Sequence, residues 1–374
     1  MNTHHSLYLI RLHFNSPMHL AKGKPGSYDS GFDVLHSDTL KAALFAMAVE
    51  LFDDEVTEGQ TSEPAKCPFL DGFRISSGFP FWENELFFPK PMGVTFRFSD
   101  KKEEEKTDME KTEEAKKKKL AKGIRFVGRS IFEKMLADNE PLFDVSQMSD
   151  DGDFYSEIFS KKKKSDGMNF EGREESDRFV WKTVVEQRVI VPRGQPDVIS
   201  ADDAGDAKPY FLERLYFREG AGLFFLLDCA DPALLNQVLA SLRSLGENGV
   251  GMDRNTGNGH FEIEEPERLD WVSPAEADYA VSLSLFCPTD TSITAPDFMA
   301  RSNYALFKRG GWVTHPDHSS LRKQSVYMFA EGSVFPLSGA EGKLVNLRPK
   351  AAGTGHPMWR DGRPIFLPMK SSTT

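Results

Sequence analysis

The chain reads as an α+β protein, and three observations carry that reading. An apolar strand pattern near the N-terminus passes through a glycine-rich loop into a helix pattern. A second such unit runs from a strand through a proline-started helix into another glycine-rich loop and a further strand. Beyond residue 275 the pattern returns to strands, with few helix signals.

Each element has its own residues. Positions 7–16 alternate Leu7, Leu9, Arg11 and His13 against Tyr8, Ile10, Leu12 and Phe14, apolar on both faces, as a buried strand requires. A basic loop from His19 to Tyr28 follows, and Ser37 is placed to cap a helix whose Leu40, Leu44, Met47, Ala48 and Leu51 recur at helical spacing. Residues 73–91 predict two strands around a polar turn, confined by their prolines to an edge or to irregular pairing. The charged run 100–122 suits either a solvated helix laced with i,i+4 pairs or a mobile insertion, and the second is favoured. Lys161 to Lys164 is a second lysine run, read as solvated surface. Residues 180–192 are β-branched and extended, and 210–228 gives two strand runs across a turn. Asp231 then caps a helix, Pro232 opens it, and Leu234, Leu235, Val238, Leu239, Leu242 and Leu245 form its apolar stripe. The second glycine-rich loop, Gly249 to His260, leads into the strand 260–264.

Taken together, residues 1–270 outline β-α-β … β-α-β, the ferredoxin-like (split βαβ) plan that RNA-recognition modules (RRM-like folds) also use. This first domain carries large insertions at about 100–122 and 138–178 beside its Gly-rich loop. Residues 275–374 predict a second, degenerate ferredoxin-like domain.

Composition excludes several classes. Of 374 residues, 57 are acidic and 46 basic, a net charge of −11 that argues against an indiscriminate nucleic-acid coat. Screening within about 8 Å leaves room for a local basic groove. The three cysteines, Cys67, Cys229 and Cys287, are far apart and indicate neither a disulfide framework nor a zinc site. His4 and His5 are adjacent, without ligand spacing, so no metal and no cofactor is expected. No apolar run approaches the roughly 20 residues that span a bilayer, and the N-terminus lacks a signal-peptide pattern. The expected setting is a reducing cytoplasm, with no membrane contact.

The strongest candidate site is the second loop. Gly249, Gly251, Gly257 and Gly259 let backbone amides face a phosphate, and Arg254 supplies charge, with Asn255, Thr256 and Asn258 as hydrogen-bonding partners. A structural turn is the plain alternative. The first loop adds His19, Lys22 and Lys24, Tyr28 for base stacking, and His36 and Ser37 at a helix start. Arg188 and Arg193 lie on and beyond an extended segment suited to a thumb-like hairpin, as RNA contacts or as surface ion pairs. Asp33, His36 and Asp38 raise RNA cleavage as a minority reading, with His36 as base and Lys24 as cation. A carboxylate at Asp38 is also favoured by the helix dipole alone. His356, Trp359 and Arg360 read as a packing corner.

These residues resemble a known family. The strand leading into Ser16-Pro-Met-His-Leu20, followed by His36 to Leu44, is similar to the start of a CRISPR-associated RAMP protein. The loop from Gly249 resembles the superfamily's glycine-rich loop. Ser76 to Phe81 with Leu86 to Pro91, then Glu331 to Phe335, then Gly355 to Gly362, resemble subunit four of the type III-A (Csm) interference complex. The resemblance implies a non-catalytic subunit that holds the 5′ tag of the CRISPR RNA (crRNA). It also implies contacts with the large signature subunit and the backbone RAMP subunit, and only indirect contact with target RNA. The alternatives are a RAMP-type endoribonuclease processing precursor crRNA, a homologous subunit of another type III complex, or a protein-binding scaffold.

Overall fold

The computed structural model describes residues 5–20, 34–58, 67–99, 106–138, 140–161, 178–190, 208–271, 273–313, 321–338, 340–352 and 357–370. The chain opens with β1 (His5–Phe14), α1 (Ser37–Phe52) and two short helices, α2 (Asp54–Thr57) and α3 (Pro68–Asp71). Then come β2 (Phe73–Ile75), β3 (Phe79–Trp82), β4 (Glu85–Pro89), α4 (Asp108–Gly123), β5 (Phe126–Gly128), α5 (Arg129–Leu136), β6 (Phe154–Tyr155) and α6 (Glu157–Lys161). A long hairpin, β7 (Trp181–Ile190) with β8 (Lys208–Phe217), precedes β9 (Ala221–Cys229), α7 (Pro232–Asn248), β10 (Phe261–Ile263) and β11 (Glu267–Trp271).

These elements build one nine-stranded sheet in the order β10-β1-β9-β3-β4-β5-β6, with β11 also on β1 and β2 also on β9. Both β1 and β3 run antiparallel to β9, so α1 connects parallel strands that flank a third. Helices α1 and α7 pack on each other, and their apolar residues join the sheet's core. Strand β9 explains why the middle is stable: Leu223 to Leu227 are wholly buried on both faces, as a central strand between two neighbours must be. The N-cap reading of α7 holds, since the Asp231 side chain accepts from Ala233 N and Pro232 occupies the first turn. Many of the 30 phenylalanines pack under the β3–β6 end, where Phe88 stacks on Phe132 at 4.7 Å and Phe87 meets Phe154 edge-on at 5.1 Å.

Three expectations are corrected and one is narrowed. The run 100–122 contains a helix from Asp108, capped by a reciprocal pair in which Thr107 accepts from Glu110 N and the Glu110 carboxylate takes Thr107 N. Of the two outcomes expected for the proline-bearing segment, the edge gives way to irregular pairing: β3 is interior although it carries Pro80. Its ladder to β4 pairs only Phe81 with Leu86 and Trp82 with Glu85, so Pro80 needs no donor on that side. Ser37 is the first helical residue rather than the cap, which falls on His36 without a side-chain bond. Leu51 is half-exposed and lies outside the stripe that buries Leu40, Leu44, Met47 and Ala48.

The C-terminal region holds β12 (Tyr279–Ser282), α8 (Asp290–Thr294), β13 (Leu306–Arg309), β14 (Val326–Phe329), β15 (Val334–Pro336), β16 (Leu344–Asn346), β17 (Trp359–Asp361) and β18 (Phe366–Met369). They form a three-stranded sheet, β15-β12-β18, and two hairpin pairs, β13–β14 and β16–β17. Where β1 to β11 use long helices as crossovers, this region has only the short α8 among the described residues. The chain changes sheets between β11 and β12, but the core does not change with it. Val281, Leu283, Val334, Ile365, Leu367 and Met369 belong to the same apolar cluster as β1, β9, α1 and α7. Backbone bonds stitch the junction, including Ser77 N to Leu283 O at 2.8 Å.

Candidate functional site

The Gly-rich loop sits between α7 and β10 and is pinned to the segment that leaves β1. Met252 N donates to His19 O and Gly259 N to Pro17 O, both at 2.9 Å, while Val250 N donates to Gly259 O at 2.9 Å. Thr256 N and Gly257 N close turns onto Asp253 O and Arg254 O. Those amides are therefore committed to the protein rather than turned to a ligand. The glycines have internal reasons as well. At Gly251 (φ +94°) an added Cβ would lie 2.4 Å from His19 O, and at Gly259 (φ +73°) it would lie 2.0 Å from Val250 O. The close approach those glycines allow is to the protein's own backbone. Asn258 is buried, donating to Asp253 O and Thr256 Oγ1 at 3.1 and 2.8 Å, so it shapes the loop from inside. What the loop presents outward is Arg254, Asn255, Thr256 and Gly257, all exposed.

That exposed edge meets a cleft of about 590 Å³. Its walls are Gly249, Gly251, Met252 and Arg254 from the loop; Thr39, Ala42, Ala46 and Met47 from α1; and Arg309 to Trp312, Lys323 and Arg360 from the C-terminal region. Among the described residues no Asp or Glu side chain lines it, although the chain as a whole carries a net charge of −11. Four cations do. The cleft is thus a local basic site on an acidic protein.

Beside the cleft, the start of α1 forms a buried ionic seam with the C-terminal region. Asp38, 1 % exposed, takes Arg309 through two bonds of 2.8 and 2.9 Å and Arg360 at 3.2 Å. Burial alone would raise its pKa, but the Arg360 and Arg309 guanidiniums more than offset this and hold it at about 2. Lys41, equally buried, pairs with Asp361, which is also held by Arg363 at 2.8 Å. Burial brings the Lys41 ammonium down to about 8 despite that carboxylate. His36 Nδ1 is 2.8 Å from Glu331, whose carboxylate also accepts from Ser77. Burial works against ionised Glu331, yet the His36 charge and these hydrogen bonds leave its pKa below the usual range.

The seam changes the role of several expected site residues. His36 and Ser37 are buried, and the Ser37 hydroxyl accepts from Leu285 N at 3.0 Å, so neither side chain is offered outward at a helix start. His19 is buried too, with Nδ1 2.6 Å from Glu213 O, and serves the junction with β8. Asp38 is engaged by arginines rather than left to the helix dipole. Arg188 lies on the β7–β8 hairpin 3.4 Å from Glu186, a carboxylate shared with Arg214 and Tyr216. Trp359 and Arg360 do form a packing corner, on β17 against α1. Lys22, Lys24, Tyr28, Asp33, Arg193 and His356 lie outside the described residues, as do His4 and Lys162 to Lys164. No group of three His, Cys, Asp or Glu able to hold a metal occurs among the described residues, and no described helix is long and apolar enough to cross a membrane.

Sequence reasoning missed Arg309, Trp312 and Lys323. The signal was present as Arg309-Gly-Gly-Trp312, a second cation–glycine–aromatic run, but its alternation also reads as an ordinary strand. A second recess of about 440 Å³ lies between α4 and residues 94–99. Three of its cations are already engaged: Lys106 and Lys118 both pair with Glu114, at 2.6 and 2.8 Å, and Lys90 donates to Ala121 O.

Comparison with known proteins agrees with this architecture. Residues 275–369 match the family described as the CRISPR Csm4 C-terminal domain. A Csm4 protein of Mycobacterium tuberculosis (strain CDC 1551 / Oshkosh) is 31 % identical over 174 residues, 45 % of this chain and 53 % of the relative, so the chain spans about half the length of that relative. Csm4 of Thermococcus onnurineus (strain NA1) is 25 % identical over 267 residues, 71 % of each chain. Among solved structures, a Csm3–Csm4 subcomplex of the type III-A CRISPR-Cas interference complex aligns with TM-score 0.60 at 18 % identity, covering 98 % of this chain and 100 % of that one. A Csm1–Csm4 cassette in complex with cA4 aligns with TM-score 0.58 at 19 % identity, covering 99 % and 100 %. At such identities the structures report a shared fold. Residues 275–369 thus match the Csm4 C-terminal domain, and over much of its length the chain is similar to Csm4 proteins of type III CRISPR systems.

Proposed function

We propose that this chain is a non-catalytic, RNA-holding subunit of a type III-A CRISPR interference complex. It grips the 5′ tag of the crRNA and bridges the large signature subunit to the backbone subunit, touching target RNA only indirectly. The observation that carries the reading is a cleft with no Asp or Glu in its described lining. There the exposed Arg254 and the half-buried Lys323 have no ion-pair partner among the described residues, while Arg309 and Arg360 are held by Asp38. Phosphodiesters are the natural anions for such a surface, and guanidinium groups hold them without reading sequence. The strand order of the first region, β10-β1-β9-β3, supports a ferredoxin-like reading, a plan that RNA-recognition modules also use.

The non-catalytic part rests on the seam. A general base for RNA cleavage needs an accessible nitrogen near a 2′-hydroxyl. His36 is turned into the seam against Glu331, and Asp38 is saturated by two arginines. The bridging part follows the solved neighbours, in which Csm4 occurs with Csm1 and with Csm3.

Photo-cross-linking of particles assembled on a 5′-labelled crRNA tests the reading. Adducts between the tag and peptides containing residues 252–257 are expected. Adducts confined to other subunits would leave only a protein-binding scaffold. Cleavage of a precursor transcript by the purified chain, lost on His36→Ala, would reverse the assignment in favour of an endoribonuclease.

A further inference from the structure

Lys323 enters the cleft from the segment before β14. Its backbone is held in place, because Lys323 N donates to Gly311 O at 2.9 Å. Its ammonium is half-buried, and among the described residues it has neither a hydrogen-bond acceptor nor an ion-pair partner. The carboxylate whose field it feels, Asp38, is already engaged by Arg309 and Arg360. Burial and the Arg360 charge push the ammonium's pKa down. A partly desolvated cation beside another cation is unfavourable until an anion arrives from outside. Trp312, a residue 42 % exposed, lines the same cleft. The Arg322 guanidinium braces that ring, 4.8 Å from its centroid.

From this placement we infer that Lys323 and Trp312 form a nucleotide subsite contributed by the C-terminal region, the ammonium receiving a phosphodiester oxygen of RNA and the indole receiving the neighbouring base. The inference rests on the RNA-holding reading and deepens it. The Gly-rich loop supplies one bank of the cleft and the C-terminal region the other. A free phosphate would satisfy Lys323 alone, whereas an exposed indole in the same cleft suits a ligand with a π-face attached to its phosphate.

The test is binding of a 5′-tag RNA oligonucleotide to the full chain across a salt series. Lys323→Ala is expected to weaken binding by about tenfold and to lower the slope of log K against log salt by about 1, while Lys323→Arg keeps the slope. Trp312→Leu is expected to weaken binding by about tenfold with the slope unchanged, because stacking releases no counterion. Weakening on Arg254→Ala with no change on Lys323→Ala overturns the subsite and leaves the RNA reading intact. No binding of the tag RNA by the wild-type chain overturns both. Inorganic phosphate competing as well as the oligonucleotide would mark a generic anion pocket, and polyglutamate displacing RNA in a Lys323-dependent way at lower concentration would mark an acidic protein partner; either result overturns the assignment.

Discussion

The start of α1 and the mouth of the cleft are built from the same kinds of residue, arranged to opposite ends. At the seam, Asp38 meets Arg309 and Arg360, Lys41 meets Asp361, and His36 meets Glu331. The side chains of Asp38, Lys41, Asp361, His36 and Glu331 are buried, and the two arginines reach Asp38 from the cleft wall. At the mouth, Arg254 is exposed and Lys323 half-buried, and among the described residues neither has an ion-pair partner. Buried pairs join the C-terminal region to the first sheet, and breaking one strands a charge in a medium that solvates it poorly. Unpaired cations at the mouth leave their field available to an external anion. Charge does structural work in one place and binding work in the other, and the difference is the presence of a carboxylate.

The largest expected effect tests the seam. Asp38→Ala leaves two guanidiniums without their counter-charge and is expected to lower unfolding free energy by about 3–5 kcal/mol in a denaturant titration. Wild-type stability in that variant would mean the seam holds nothing. The acid limb of stability comes next. With Asp38 at about 2 in the folded chain and 3.8 as its ordinary value, the unfolded chain binds the proton more readily. Its contribution of about 2 kcal/mol is complete above pH 4 and is lost as pH falls through 2, a loss that Asp38→Asn should not show in urea melts at each pH. Gly251→Ala puts a Cβ against His19 O at positive φ and is expected to cost roughly 1–2 kcal/mol in the same melts. A neutral result would mean that the loop is not anchored there. The smallest effect on stability belongs to the mouth. Arg254→Ala should stay within about 0.5 kcal/mol of wild type yet lower the salt slope of RNA binding by about 1. A stability loss comparable to that of Asp38→Ala would erase the distinction between the two regions.

Much of the fold was legible from periodicity. The pattern of Leu7 to Phe14, the Asp231–Pro232 start and the Leu234 to Leu245 stripe are local signals, and the structure reproduces them because each reflects a single element's own burial. The helix at Asp108 was misjudged because mixed charge suits solvated helix and coil alike; the decisive signal was the Thr107–Glu110 capping pair. The candidate site was legible by half. The Gly-rich loop stands out as composition, but the partners of its glycines, His19 O and Val250 O, are a matter of three-dimensional approach. Lys323 carries no distinguishing neighbours in the chain, and the Arg309-Gly-Gly-Trp312 run before Trp312 also reads as an ordinary strand, so neither is marked locally as a cleft residue.

By itself the sequence determined the α+β class, the order of the principal strands and helices, the caps of α7 and the family resemblance, since these depend on residues close along the chain. The tertiary structure alone decided which charges are sealed and which are open. Asp38 and Arg309 are separated by 271 positions, and Lys41 and Asp361 by 320. Electrostatic pairing depends on distance in space and on the removal of water, and neither quantity is written in the spacing of residues.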